Sequence, residues 1–162
     1  MDIRLNFSGY VPSVSNMYKN LNRLIFIFSI LGLVISAFLT YEYLQANPVV
    51  CPLTGNGCEL VRKSAYSHFL GISIPYLGIA YYLVTAALSV YLTQSFKKNI
   101  DWFRFLFAIL SVLFGIYLTY IEAFKIQAFC FWCVSSFITS IIILVLASLS
   151  ILIKNSETSN EN

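Results

Sequence analysis

Twenty-eight consecutive residues without a charge, Ile126 to Ile153, do most to limit what this chain can become. At about 1.5 Å of rise per residue, a helix of that length crosses the roughly 30 Å hydrocarbon core of a bilayer. Three similar runs precede it. Leu24 to Tyr41 is uncharged for 18 residues and extends through Tyr43 and Leu44, with Glu42 at its end. Phe69 to Phe96 carries Pro75 near its start, where a proline costs little if the helix begins there. Phe105 to Ile121, starting near Trp102, completes the set. The chain reads as an all-α membrane protein, a bundle of four transmembrane helices. Its composition agrees: 10% of residues are charged, against about 25% in an ordinary globular chain.

The segments between the runs divide the chain. Residues 1–23 are polar and irregular, an arm that sets Tyr18, Lys19 and Arg23 at the membrane surface. Without an apolar core they are not expected to act as a cleavable signal peptide, so the first run is read as a retained span. Loop 45–71 is rich in Asn, Pro, Gly and charge, Lys97–Asp101 reads as a tight turn, and Glu122–Gln127 as a short connector. The transmembrane domain therefore covers 24–153, followed by a polar tail, 154–162, expected to be disordered. No internal repeat is evident.

Four spans put both termini on one side. The arms and second loop hold Arg4, Lys19, Arg23, Lys97, Lys98, Arg104 and Lys154, while the other two loops hold Arg62, Lys63 and Lys125. This asymmetry places the termini in the cytoplasm of a multi-pass cell-membrane protein and makes loop 45–71 an extracytoplasmic cap. The net charge of +3 is too small and scattered to suggest a nucleic-acid partner. Gly32 with Ser36, and Ser111 with Gly115, have the small-xxx-small spacing of close helix packing.

The chemistry rests on four cysteines. Cys130-Phe131-Trp132-Cys133 heads the fourth run, and its spacing puts two sulfurs within bonding reach across the first turn of a helix. The partial positive charge at a helix N-terminus favours thiolate there. Cys51 and Cys58 bracket Pro52, Gly55 and Gly57, a sequence that turns easily, so a disulfide between them is geometrically reasonable. Both pairs fall on the extracytoplasmic side, where disulfides persist. One pair in a loop and one on a helix suit thiol–disulfide exchange, the loop collecting electrons and the helix receiving them. The alternative is a structural staple in a non-catalytic four-span scaffold. Arg62 and Lys63 either favour a thiolate near Cys58 or form a solvated basic cluster. A four-thiolate zinc site is set aside, because only one pair has the knuckle spacing.

A dithiol at a membrane surface needs an electron acceptor. The sequence has neither a nucleotide-binding glycine fingerprint nor a haem-attachment C-x-x-C-H, which leaves a lipid-soluble quinone. Dithiol plus quinone then gives disulfide plus hydroquinone. The dense aromatics offer a flat ring surfaces to stack on. Glu42 and Glu122, at the extracytoplasmic ends of spans, either relay protons or are simply interfacial. His68, the only histidine, reads as a solvated loop residue.

The order of these features resembles the vitamin K epoxide reductase family over most of residues 22–153. The resemblance is carried by Cys51, Cys58, Ser64, the stretch Gly71-Ile-Ser-Ile-Pro-Tyr-Leu-Gly78 and Cys130-Phe-Trp-Cys133. DsbB-type proteins place their C-x-x-C pair before the loop pair, the reverse of the order here. The resemblance implies that Cys51 exchanges with a thioredoxin-fold partner, Cys58 passes electrons to Cys130, and Cys133 faces the quinone. It also implies that Ser64 lies on a lid-like segment over the pocket. In animal members an asparagine of the second span and a tyrosine four residues after the second C-x-x-C cysteine hold the quinone oxygens. Here no asparagine lies between Ile72 and Phe96, and Phe137 stands at the tyrosine position of the quinone pocket.

Those departures argue against vitamin K epoxide reduction, the rival direction for the enzyme. They suit the prokaryotic members, which oxidise partner proteins at the expense of ubiquinone or menaquinone. With nine residues after Ile153, the expected partner is a separate, DsbA-like protein. The catalytic residues expected are thus Cys51, Cys58, Cys130 and Cys133, with no metal.

Overall fold

The computed structural model describes residues 11–45, 51, 55–69, 71–94 and 98–160. Four long helices dominate: α1 (Val11–Leu44), α3 (Ile74–Gln94), α4 (Lys98–Ile121) and α5 (Phe131–Asn160). All four are long and apolar enough to cross a membrane. Between α1 and α3 lie the short helix α2 (Gly57–Lys63), a single 3-10 turn (Ala65–Ser67) and a tiny hairpin. The hairpin pairs β1 (His68–Phe69) with β2 (Ile72–Ser73), antiparallel, with His68 opposite Ser73. Gly71 makes that turn at φ +83°, a region that residues with a Cβ enter only with strain. Pro75 is the second residue of α3, where its missing N–H would have had no helical partner.

α1 packs along both α3 and α5, and α4 packs on α5, whereas α3 and α4 touch little. The small-residue stripes explain the close contacts. A Cβ on Gly32 would overlap the Tyr82 ring, and one on Gly115 would overlap the Phe137 ring. Each glycine is thus the socket for an aromatic ring from the facing helix. The core between them is formed by Ile25, Tyr81, Tyr82, Ala108, Ile143 and Ala147. Leu31, Val34, Leu113 and Leu152 point outward and exposed, as side chains do where lipid is the solvent.

Several expected boundaries shift. Residues 11–23 are a continuation of α1 and not an irregular arm, and Tyr18 is buried instead of lying at a surface. The reason is a polar cluster at the end of the bundle remote from the cysteines. The Tyr18 hydroxyl donates to both Asp101 carboxylate oxygens, at 2.9 and 3.0 Å. Arg104 donates to Asn22, Asp101 and the Ser150 hydroxyl, and Lys154 reaches Asp101 at 2.7 Å. Asp101 and Arg104 are each only 1% exposed. A buried carboxylate is tolerable when cations and hydroxyl donors surround it, and these come from α1 and α5 as well as α4. The same contacts carry α4 back to Lys98, beyond the expected start at Trp102, and hold helix past Lys154, where a disordered tail was expected. The expected connector after Ile121 is a π-helical turn, Glu122–Ile126, which widens the end of α4.

Candidate active site

The four cysteines gather at the other end of the bundle. Cys51 and Cys58 are joined as a disulfide with their Cα atoms 5.8 Å apart, while Cys130 and Cys133 are free thiols. Cys51, Cys58 and Cys130 are buried in one cluster with Leu39 of α1 and Val61 of α2. Tyr43, Trp132 and Cys133 pack against it. Cys58 sits in the first turn of α2, so this short helix is what delivers the loop sulfur to the head of α5. Cys130 is the residue before α5 and Cys133 the third residue within it. The intervening Trp132 packs its ring, tilted by 50°, against Phe38 of α1 with centroids 4.8 Å apart, which fixes the start of α5 against the first span.

The two free thiols differ. The backbone N–H of Cys133 points at the Cys130 sulfur, 3.4 Å away. The Cys130 thiol is held below the usual thiol range, chiefly by a hydrogen bond from the Cys133 thiol, with burial acting in the opposite direction. Thiolate is thereby favoured at Cys130, as suits a nucleophile facing the loop pair. Glu122, buried at the first position of the π turn, accepts the Cys130 backbone N–H at 3.3 Å. Among the described residues no three or more His, Cys, Asp or Glu side chains gather as metal ligands.

Cys133 lies on the wall of a cavity of about 410 Å³, formed where α3 and α4 part. Its walls are largely apolar and include the rings of Phe107 and Phe114 from α4, Phe137 from α5 and Tyr81 and Tyr82 from α3. Val61, Ser64, Tyr66 and Phe69 close it from the cysteine side. Ser64 ends α2 and donates its hydroxyl to the Val61 carbonyl at 2.7 Å. Phe137 contributes a ring face and no hydrogen-bonding atom. Apolar walls with a few hydroxyls suit a flat, apolar ring bearing carbonyl oxygens, and the volume falls in the range of small-molecule sites.

The expected site residues Cys133, Ser64 and Phe137 thus line one cavity, and the other three cysteines stand beside it. Arg62 is not part of a solvated basic cluster. Its guanidinium donates to the Gln45 carbonyl at 2.9 Å and pairs with Glu59 at 2.8 Å, so it caps the end of α1 and ties α2 down. Lys63 pairs with Glu59 from a solvent-exposed position. Glu42 offers its carbonyl to Arg62 and does not line the cavity, whereas Glu122 does. His68 is exposed, its ring beside the Ser67 hydroxyl. Tyr43 and Tyr81, both on the cavity wall, were not singled out by sequence; tyrosine in an aromatic-rich span carries no signal of its own.

Comparison with known families gives the arrangement its place. The family described as Vitamin K epoxide reductase matches residues 23–148, which covers α3, α4, the cysteine loop and all but the ends of α1 and α5. That family couples thiols to quinones in general. The chain belongs to the Vitamin K epoxide reductase family and is a multi-pass membrane protein of the quinone-linked thiol oxidoreductase type.

Proposed function

We propose that this protein oxidises the dithiol of a separate thioredoxin-fold, DsbA-like partner and passes the electrons to a membrane quinone. Cys51 exchanges with the partner, Cys58 hands the electrons to Cys130, and the Cys130–Cys133 pair reduces the quinone in the cavity. The observation that carries this reading is that the loop disulfide and Cys130 share one buried cluster, while Cys133 lies on the cavity wall. Each transfer then needs only a neighbouring sulfur. The oxidised loop pair beside a reduced helix pair is the arrangement left once electrons have moved inward from the loop.

The quinone ring lies against Cys133 and the aromatic walls, below the lid segment that includes Ser64. Its isoprenoid tail leaves between α3 and α4, where helix contact is sparse. Phe137 supplies stacking surface, so binding depends on ring shape more than on a hydrogen bond at that position. The basic residues favour cytoplasmic termini and an extracytoplasmic cysteine end. That is the side on which secreted proteins acquire disulfides.

Trapping tests the relay. In a Cys133→Ala variant Cys130 can still attack the Cys51–Cys58 disulfide but cannot form a disulfide with a helix partner, so a Cys58–Cys130 mixed disulfide should accumulate, with Cys51 released as the thiol. A small membrane-permeant dithiol, which reaches the helix pair directly, should support quinone reduction even in a Cys51→Ala, Cys58→Ala variant. Finding only Cys51–Cys58 disulfide under trapping, with no cross-linked species, counts against the relay.

A further inference from the structure

Among the described residues Glu122 is the one carboxylate on the cavity wall, and it is 4% exposed. Among the described residues no Lys or Arg forms an ion pair with it. A membrane-embedded carboxyl without a counter-ion is costly, and such groups persist where they do chemistry. Its backbone is unusual as well. Glu122 opens the π-helical turn, a feature that recurs at functional sites, and its carbonyl is bonded by the N–H of Ala128 at 3.2 Å. The wider turn swings the carboxyl toward the head of α5, where it bonds the Cys130 N–H and faces the Cys133 thiol.

We propose that Glu122 is the catalytic base that takes the proton of the Cys133 thiol and delivers it into the cavity, to an oxygen of the bound quinone. The inference rests on the quinone-reductase reading above. The S–H bond of Cys133 breaks, its proton passing to the Glu122 carboxylate. Cys130, as thiolate, has already released its proton to water. The two sulfurs join as the Cys130–Cys133 disulfide and lose two electrons, which reduce the quinone to hydroquinone. One of the hydroquinone's two protons comes through Glu122 and the other from water. The carboxylate is regenerated. The titratable groups that face Glu122 are Cys130, Cys133 and Tyr43 of α1.

The test is Glu122→Gln, which keeps the shape and can still accept the Cys130 N–H. Purified in detergent, this variant should melt close to the wild type yet reduce quinone about a hundredfold more slowly, the usual scale of a positioned acid–base group. A second readout needs no quinone. Alkylation of Cys130, located by fragment mass spectrometry, should reach half its maximal rate at lower pH in the variant, because a negative neighbour has been removed. Quinone reduction within twofold of the wild type overturns the proposal and leaves the enzyme reading intact. If the wild type itself reduces no quinone, the enzyme reading fails. An unmoved alkylation profile overturns the proposal in either case.

A second inference stands on other atoms. The Tyr81 hydroxyl is buried on the cavity wall beside the hydroxyls of Ser111, Thr85 and Ser140 but completes no hydrogen bond among the described residues, Thr85 donating to the Tyr81 carbonyl and Ser111 to Ser140. The nearby Ser140 hydroxyl is already engaged with Ser111 at 3.3 Å and Tyr82 at 3.2 Å. We infer that Tyr81 donates to a carbonyl oxygen of the quinone and supplies the polar anchor that Phe137 cannot. Tyr81→Phe should melt at the same or higher temperature without ligand, since an unmade hydrogen bond is removed. It should bind ubiquinone-1 about fivefold to tenfold more weakly in a Cys133→Ala background, where no turnover occurs. A lower ligand-free melting temperature, or unchanged affinity, overturns this inference. If that background without the Tyr81 change binds no ubiquinone-1, the quinone reading itself fails.

Discussion

The ring of Phe137 on α5 occupies the space that a side chain at Gly115 of α4 would fill. One residue of a small stripe is thereby bound to one aromatic of the cavity wall, and packing and site geometry become the same question. Gly115→Ala should push the ring toward the cavity and destabilise the protein by about 1–3 kcal/mol, the common cost of overpacking. Thermal unfolding in detergent measures this. The double variant Gly115→Ala, Phe137→Ala should recover much of the loss caused by overlap.

At the opposite end, Asp101 receives Tyr18, Arg104 and Lys154. Asp101→Asn removes the only carboxylate of that cluster among the described residues and leaves Arg104 buried without a counter-charge from them. The expected cost is about 3–5 kcal/mol, as for breaking a buried pair by removing one partner. Quinone reduction measured below the melting temperature should be unaffected, because the cluster lies at the end of the bundle away from the cysteines.

Much of this fold is legible in the sequence, and the missing parts share a cause. The four spans show because a run without charge has few other uses, and Pro75 marks the start of α3 because it cannot sit deeper in a helix. The C-x-x-C pair announces the head of α5 by its spacing. By contrast, Asp101 and Arg104 look like surface charges at a turn until Tyr18 and Ser150, distant in sequence, are brought to them. For the same reason residues 11–23 read as a polar arm, although two of their polar side chains, Tyr18 and Asn22, are buried against that cluster. Glu42 and Glu122 are equivalent in sequence, each at the end of a span. Only the π turn and the approach of α5 separate them, and no local pattern encodes that approach.

The Cys130 thiol gives a pH prediction with a definite sign. Its value is lowered by the hydrogen bond from Cys133, so the folded protein favours the thiolate more than the unfolded chain does. The stability this adds is present above the ordinary thiol value of about 8.5 and is lost as pH falls through the lower folded value. Alkylation of Cys130 should therefore persist to lower pH in the folded wild type than in the unfolded chain. In Cys133→Ala, which removes the donor, it should shift to higher pH. Mass spectrometry of protein quenched across a pH series follows both.

The departures from the animal pattern predict selectivity. With Phe137 in place of a hydroxyl-bearing ring, and no asparagine in α3, vitamin K epoxide should be a far poorer electron acceptor than ubiquinone or menaquinone. Dithiol-driven turnover with each acceptor, under one set of conditions, checks this.

The most direct measurement is quinone reduction by the purified protein in detergent, with a reduced thioredoxin-fold protein as donor, wild type beside Cys133→Ala. The account predicts turnover that requires the donor and disappears in the variant. Equal, negligible rates in both proteins across several quinones and donors would contradict it and leave the four cysteines to a structural role.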